Sequence, residues 1–224
     1  MQGQGKKKSE SKTHDDICEN NRLDTMVIDG IYYALGLLAG GALTGYLTRP
    51  WLAIPFVILA MFCLWFFRDP EREVPPGPVA VSPADGKVTL IKQIDGKTRL
   101  SIFLNVFDVH VNRTPIAGRV VDVKYQTGKF LVASKDEAST DNEMNTMVVE
   151  APDGVRVAFS QIAGLIARRI ICYKKPGDVL AAGERMGYIK FGSRVDVWFG
   201  PEWELTVQVG DRVSAASSVI AKRK

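Results

Sequence analysis

Hydrophobic patterning divides the chain into three regimes. Residues 1–25 are polar and of mixed charge ("GKKKSESKTHDD"), with no apolar face to bury, and are expected to form a disordered tail. From Met26 to Phe67 the chain is mostly apolar, in two uncharged runs separated by Thr48-Arg49-Pro50. These are "IYYALGLLAGGALTGYL" (Ile31–Leu47) and "WLAIPFVILAMFCLWFF" (Trp51–Phe67). After a proline-rich stretch at 68–78, "RDPEREVPPGP", the pattern shortens to β-type runs such as "KVTLIKQI", "RLSIFLNVF", "GRVVDVKYQ", "VRVAFSQIA", "RVDVWF", "ELTVQV" and "RVSAASSVIA".

Each apolar run is at the short end of what a helix needs to cross ~30 Å of hydrocarbon. Both are apolar around their whole circumference, and Tyr32, Tyr33, Trp51 and Trp65 cluster near their ends, as interfacial aromatics do. Gly36/Gly40 and Gly41/Gly45 have the small-xxx-small spacing that lets a second helix approach closely. The expectation for 26–67 is a helical hairpin that spans or embeds in a membrane; a buried hairpin of a soluble protein is the alternative. A cleaved signal peptide fits poorly, because the apolar run starts late, continues into a second one and lacks a small-residue cleavage site. Basic residues on both outer flanks, against the single Arg49 at the turn, predict a cytoplasmic membrane with the following domain facing the cytoplasm.

Residues 68–78 read as a linker and 79–224 as one mainly β domain, a sandwich or barrel preceded by the hairpin. "PGDVLAAGERMG" and "VQVGDRVSAASSVIA" look like the paired hairpins of lipoyl-type or hybrid-motif folds. The net charge of +4, with no basic stripe, argues against a nucleic-acid partner. Three scattered cysteines (Cys18, Cys63, Cys172) argue against a disulfide framework, and two histidines without neighbouring ligands argue against a metal site. His14, in the polar tail, is expected to have no role.

Candidate chemistry rests on polar residues set among apolar ones. Asp85 ("VSPADGKV"), His110 ("FLNVFDVHVNRTP") and Ser193 ("YIKFGSRVDVWF") supply a carboxylate, a base and a nucleophile. Taken singly they read as a turn aspartate, a structural histidine and a serine at a strand bulge. No G-x-S-x-G elbow is present, which excludes the α/β-hydrolase reading. The Gly192-Ser193 pair points elsewhere. A serine hydroxyl can attack the carbonyl of the preceding residue, and glycine there removes the side chain that would obstruct it. The resulting ester can eliminate and hydrolyse, cutting the chain and leaving a pyruvoyl group at the new N-terminus.

Taken together, "FFRDPER", "SPADGKV", "FLNVFDVHVNRTP", "QIAGLIARRI" and "FGSR" followed by "VDVWF" resemble the short, membrane-anchored type of phosphatidylserine decarboxylase, over about residues 27–222. The resemblance implies a proenzyme that cuts itself between Gly192 and Ser193, giving a β chain (1–192) and an α chain (193–224). It implies a pyruvoyl cofactor derived from Ser193, with neither a metal nor pyridoxal phosphate, and Asp85 and His110 as orienter and base. The substrate implied is a membrane phospholipid, decarboxylated to phosphatidylethanolamine and CO2; the partners are the two chains of one precursor, and homo-oligomerisation is compatible with this. Arg113 stands where the long bacterial form usually has a second histidine, and Met144, in "DNEMN", where the family more often has arginine. Arg168, Arg169, Arg113 and Arg194 are candidate phosphate ligands, with Arg168-Arg169 the most attractive pair. Two alternatives stand beside this reading: a non-catalytic, membrane-tethered lipoyl-like binding module, and a decarboxylase of an archaeal-type serine ether lipid.

Overall fold

The computed structural model describes residues 25–129, 131, 138–164, 170–189 and 193–224. Helix α1 runs from Thr25 to Leu47, starting earlier than the apolar run alone indicates. A 3-10 turn at Pro50–Ala53 leads into α2 (Ile54–Phe66). Pro50 and Pro55 lie in first turns, where a missing N–H leaves no helical carbonyl unpaired. Val27–Leu47 is long and apolar enough to cross a membrane, whereas Pro50–Phe66 is shorter.

The glycine spacing works at one of its two expected places. A Cβ on Gly41 would lie 2.8 Å from Phe56 Cβ, and one on Gly45 would lie 3.5 Å from Ala53, so these two let α2 close on α1. Gly36 meets nothing within 4 Å. Gly30 contributes instead at the hairpin base, where a Cβ would come within 2.5 Å of Phe67.

Among the described residues beyond Phe67 the regular structure is β, apart from the one turn α3 (Ala138–Asp141). In chain order the strands are β1 (Val79–Val81), β2 (Gly86–Ile94), β3 (Lys97–Leu104), β4 (Val111–Arg113), β5 (Gly118–Gln126), β6 (Met144–Glu150) and β7 (Arg156–Ala163). They continue as β8 (Ile170–Cys172), β9 (Val179–Leu180), β10 (Arg185–Ile189), β11 (Ser193–Phe199), β12 (Trp203–Leu205), β13 (Arg212–Val213) and β14 (Val219–Arg223). One sheet has the order β13-β2-β3-β11-β7-β6-β5-β9, and β4-β10-β8 and β1-β14-β12 form two smaller sheets. Alternate residues of the central strands (Leu100, Ile102, Leu104, Phe159, Val195, Val197) meet in one buried core.

The mainly β reading holds, with local differences from expectation. The lipoyl-type hairpins are not confirmed: β9 pairs with β5, while β10 pairs with β4 and β8. "RVSAASSVIA" is not one strand, because residues 214–218 turn on themselves through Ser218 N–H to Ser214 O (3.0 Å), with Ala216 at φ 63°. Only the start of "ELTVQV" is strand. Gly192, on one side of the expected bulge, lies outside the described residues; β10 and β11 belong to different sheets, and Ser193 is the first residue of β11.

Gly187, in β10, has φ +158° and lies so close to Ile171 that any Cβ would collide with the Ile171 carbonyl. The β10–β8 register depends on that approach. Gly187→Ala is therefore expected to lose about 2 kcal/mol or more of stability. Thermal unfolding of the detergent-solubilised chain would show it, and an unchanged midpoint would contradict the packing described.

Candidate active site

Asp85 sits in the turn between β1 and β2, and that turn is anchored from far along the chain. Ser82 Oγ donates to Ala84 O (2.7 Å), the Ser82 carbonyl accepts from Ala216 N–H (2.8 Å), and the Ser82 N–H donates to Ser218 O (2.8 Å). Asp85 Oδ1 accepts from Ala215 N–H at 2.7 Å, and Oδ2 pairs with Arg72 at 2.7 Å. Burial pushes its pKa up, against the pull of the Ala215 N–H and Arg72.

His110 follows the tight turn between β3 and β4. Asn105 N–H donates to Asp108 Oδ2 (2.9 Å) and Phe107 N–H to Asn105 Oδ1 (2.7 Å), side-chain bonds that set the turn. The turn aims the Asp108 carbonyl at His110 Nδ1, 2.9 Å away. A carbonyl only accepts, so Nδ1 carries the hydrogen and Nε2 the lone pair. The imidazole is fully buried against the Phe66 ring, with centroids 4.5 Å apart. Burial lowers its pKa to about 4, partly offset by the Asp108 carbonyl and carboxylate; Arg68 adds to the lowering. Arg68 feels the charges of Asp85, Arg72 and Asp108, so Asp85 and His110 share one electrostatic neighbourhood.

Ser193 opens β11, paired to Leu104 of β3 on one side and Ala163 of β7 on the other. Its hydroxyl is fully buried and makes no hydrogen bond to any described residue. Asn142 braces the β7 side, its amide donating to the Ala163 carbonyl (2.7 Å) and exchanging hydrogen bonds with the Leu131 backbone. On the core face below, Asn145 donates to Gln161 (3.2 Å) and Gln161 to Asn112 (2.9 Å), a buried amide chain through β6, β7 and β4. Sequence reasoning missed this chain; the trace it left is polar amides at positions where strand alternation demands apolar ones.

The expected arginines divide. Arg168, Arg169 and Gly192 lie outside the described residues. Arg113 is buried, donating to Asp69 (2.8 Å), Pro70 O and Gly183 O. Arg194 is buried beside Asp196 (3.0 Å) and Ser139, on the face of β11 opposite Ser193. Arg113 is thus engaged by Asp69 and two carbonyls, and Arg194 by Asp196 and Ser139. The linker charges, in turn, are bound into the β domain. Arg68 donates to Phe107 O (3.0 Å), Asp69 pairs with Arg113 and Arg185, Glu71 with Arg185 (3.0 Å), and Arg72 with Asp85. Segment 68–72 is thus a strap laid across the domain, not a free tether.

Because folding lowers the His110 pKa, its neutral form is favoured in the folded state. That stability is fully present above the ordinary imidazole value and is lost as pH falls through it toward about 4. Acidification from pH 7 to 4 is expected to remove roughly 3 kcal/mol through this residue. Unfolding titrations of wild type and His110→Gln would test this; equal acid sensitivity in both would refute it. Asn142→Ala should cost about 1–3 kcal/mol, because it strands the buried Ala163 carbonyl.

Comparison with known proteins places this geometry in a family. The family model described as phosphatidylserine decarboxylase matches residues 59–221, and the chain belongs to that family. Among individual relatives, a phosphatidylserine decarboxylase proenzyme of Solibacter usitatus is 65% identical, over 88% of this chain and 97% of its own. Proenzymes of the same name from Oleidesulfovibrio alaskensis and Erythrobacter litoralis are 47% and 44% identical, covering 85% and 87% of this chain and 91% and 86% of theirs. The non-catalytic binding module is not favoured by these matches.

Proposed function

We propose that the chain is a self-processing proenzyme that decarboxylates phosphatidylserine to phosphatidylethanolamine. The observation that carries this is Ser193: a fully buried hydroxyl with no partner among the described residues, at the first position of a central strand and directly after a glycine. An unsatisfied buried hydroxyl has a desolvation cost that a purely structural serine would avoid.

In the first phase Ser193 Oγ attacks the Gly192 carbonyl, and the Gly192–Ser193 amide bond is exchanged for an ester as the serine nitrogen takes up the hydroxyl proton. His110 Nε2, basic because Nδ1 is held by the Asp108 carbonyl, relays that proton. Abstraction of the Ser193 α-hydrogen then expels the Gly192 carboxylate, and addition of water with loss of ammonia leaves a pyruvoyl group on fragment 193–224. The residues fit such a group, since it would occupy the space of the unpartnered Ser193 side chain. When present it supplies an electron sink for the pair released with CO2. His110 then holds the proton that replaces the carboxylate, and Asp85, neutralised by Arg72, fixes the Ala215 turn of the short fragment.

The apolar hairpin keeps the β domain at the bilayer, where a two-chain lipid can be reached, and the basic outer flanks favour a cytoplasmic face. Arg68 and the largely exposed Arg212, both beside Asp108, are cations suited to a lipid phosphate, together with the expected pair Arg168-Arg169.

The test compares wild type with Ser193→Ala, using intact mass and CO2 release from vesicles containing phosphatidylserine. Wild type should appear as two fragments divided after Gly192, and the variant as one inactive chain. Decarboxylation by an uncut chain would refute the proposal.

A further inference from the structure

We propose that Phe66, the last residue of α2, is a positioning residue for His110: the base of the apolar hairpin holds the imidazole in one orientation and keeps water off it. The inference deepens the proposed function and rests on His110 acting there as the base. Both rings are fully buried, 4.5 Å apart and inclined by 36°. Phe66 is itself braced, edge-on against Phe67 at 5.0 Å and tilted against Phe62 at 6.0 Å, and Phe67 meets Tyr33 of α1 at 5.5 Å. The cover over the imidazole is therefore part of the hairpin's own packing.

A second contact fastens the hairpin to the same place. Tyr188 of β10 donates its hydroxyl to Asp29 of α1 at 2.8 Å, and its backbone pairs with Val111, the neighbour of His110. Two paired strands are thus gripped, β10 by α1 through a polar hook and the residue before β4 by α2 through an aromatic stack. Among the described residues two charged groups act on the imidazole, Asp108 from its own turn and Arg68 from the segment after α2, and they oppose each other. Arg212 in turn pairs with Asp108. With the charges opposed, the apolar cover decides the proton affinity.

The chain has only two histidines, so His110 can be followed through the hydrogen–deuterium exchange of its ring C–H by mass spectrometry, in detergent, against pH. In Phe66→Ala the exchange midpoint should move from about 4 toward the ordinary imidazole value. Self-cleavage at pH 5 relative to pH 8 should fall roughly tenfold, because the base is then protonated at the lower pH. Phe62→Ala, which loosens the same cluster without touching His110, should leave the midpoint in place, and Phe66→Trp, which restores a flat cover, should return it. Should Phe66→Ala not accumulate, Phe66→Leu is read in the same way. An unmoved midpoint on loss of the Phe66 ring, or an equal movement in Phe62→Ala, overturns the proposal. The exchange readout needs no turnover, so absence of CO2 release would refute the proposed function while leaving this inference to its own result.

Discussion

Strand β11 is hydrogen-bonded along both edges, to β3 and to β7, and most of what surrounds the candidate site follows from that constraint. A strand held on both sides cannot slide, so Ser193 is fixed opposite Leu104 and Ala163 before any side chain contributes. The two flanking strands then deliver the other groups. Beyond Leu104 the chain turns through Asn105–Asp108 and presents His110, while β7 brings Gln161 onto the same face as Ser193. Asn142 seals the end of β7 by donating to the Ala163 carbonyl. The candidate site sits at the end of a ladder that is rigid for reasons unrelated to chemistry.

A second constraint acts from outside the sheet. The segment leaving the hairpin carries alternating charges, and each finds an opposite charge or a carbonyl on the β domain. Asp69 and its partner Arg113 are both nearly buried, where an unpaired charge would be costly, so the strap is held by more than surface attraction. The apolar helices and the β domain consequently meet along a packed aromatic seam that runs to the edge of His110.

Much of this was legible in the sequence, for identifiable reasons. The hairpin and the β domain announced themselves through opposite periodicities, and long strands such as β2 and β5 were read within a residue or two because their alternation is clean. The residues Asp85, His110 and Ser193 stood out as polar positions in apolar surroundings. What was not legible depends on pairing between distant segments. The run "RDPER" reads as a solvated linker until Arg113, Arg185 and Asp85 are brought beside it. Arg113 and Arg194 looked like free cations because sequence shows a charge but not its counter-charge. The short strands β13 and β14 were merged because the serine turn between them has no glycine or proline to mark it.

The placement of β11 to β14 has one more consequence. Residues 193–224 do not form a lobe of their own; they supply the middle strand of the large sheet, an edge strand beside β2, and two strands of the β1 sheet. A break after residue 192 would therefore leave two pieces interleaved like a key in its lock, neither with a complete core. The short piece could leave only by opening the ladders of two sheets at once. Joined or severed, the assembly should melt as one body, and a synthetic peptide of the last thirty-two residues would be a natural candidate for complementation in trans.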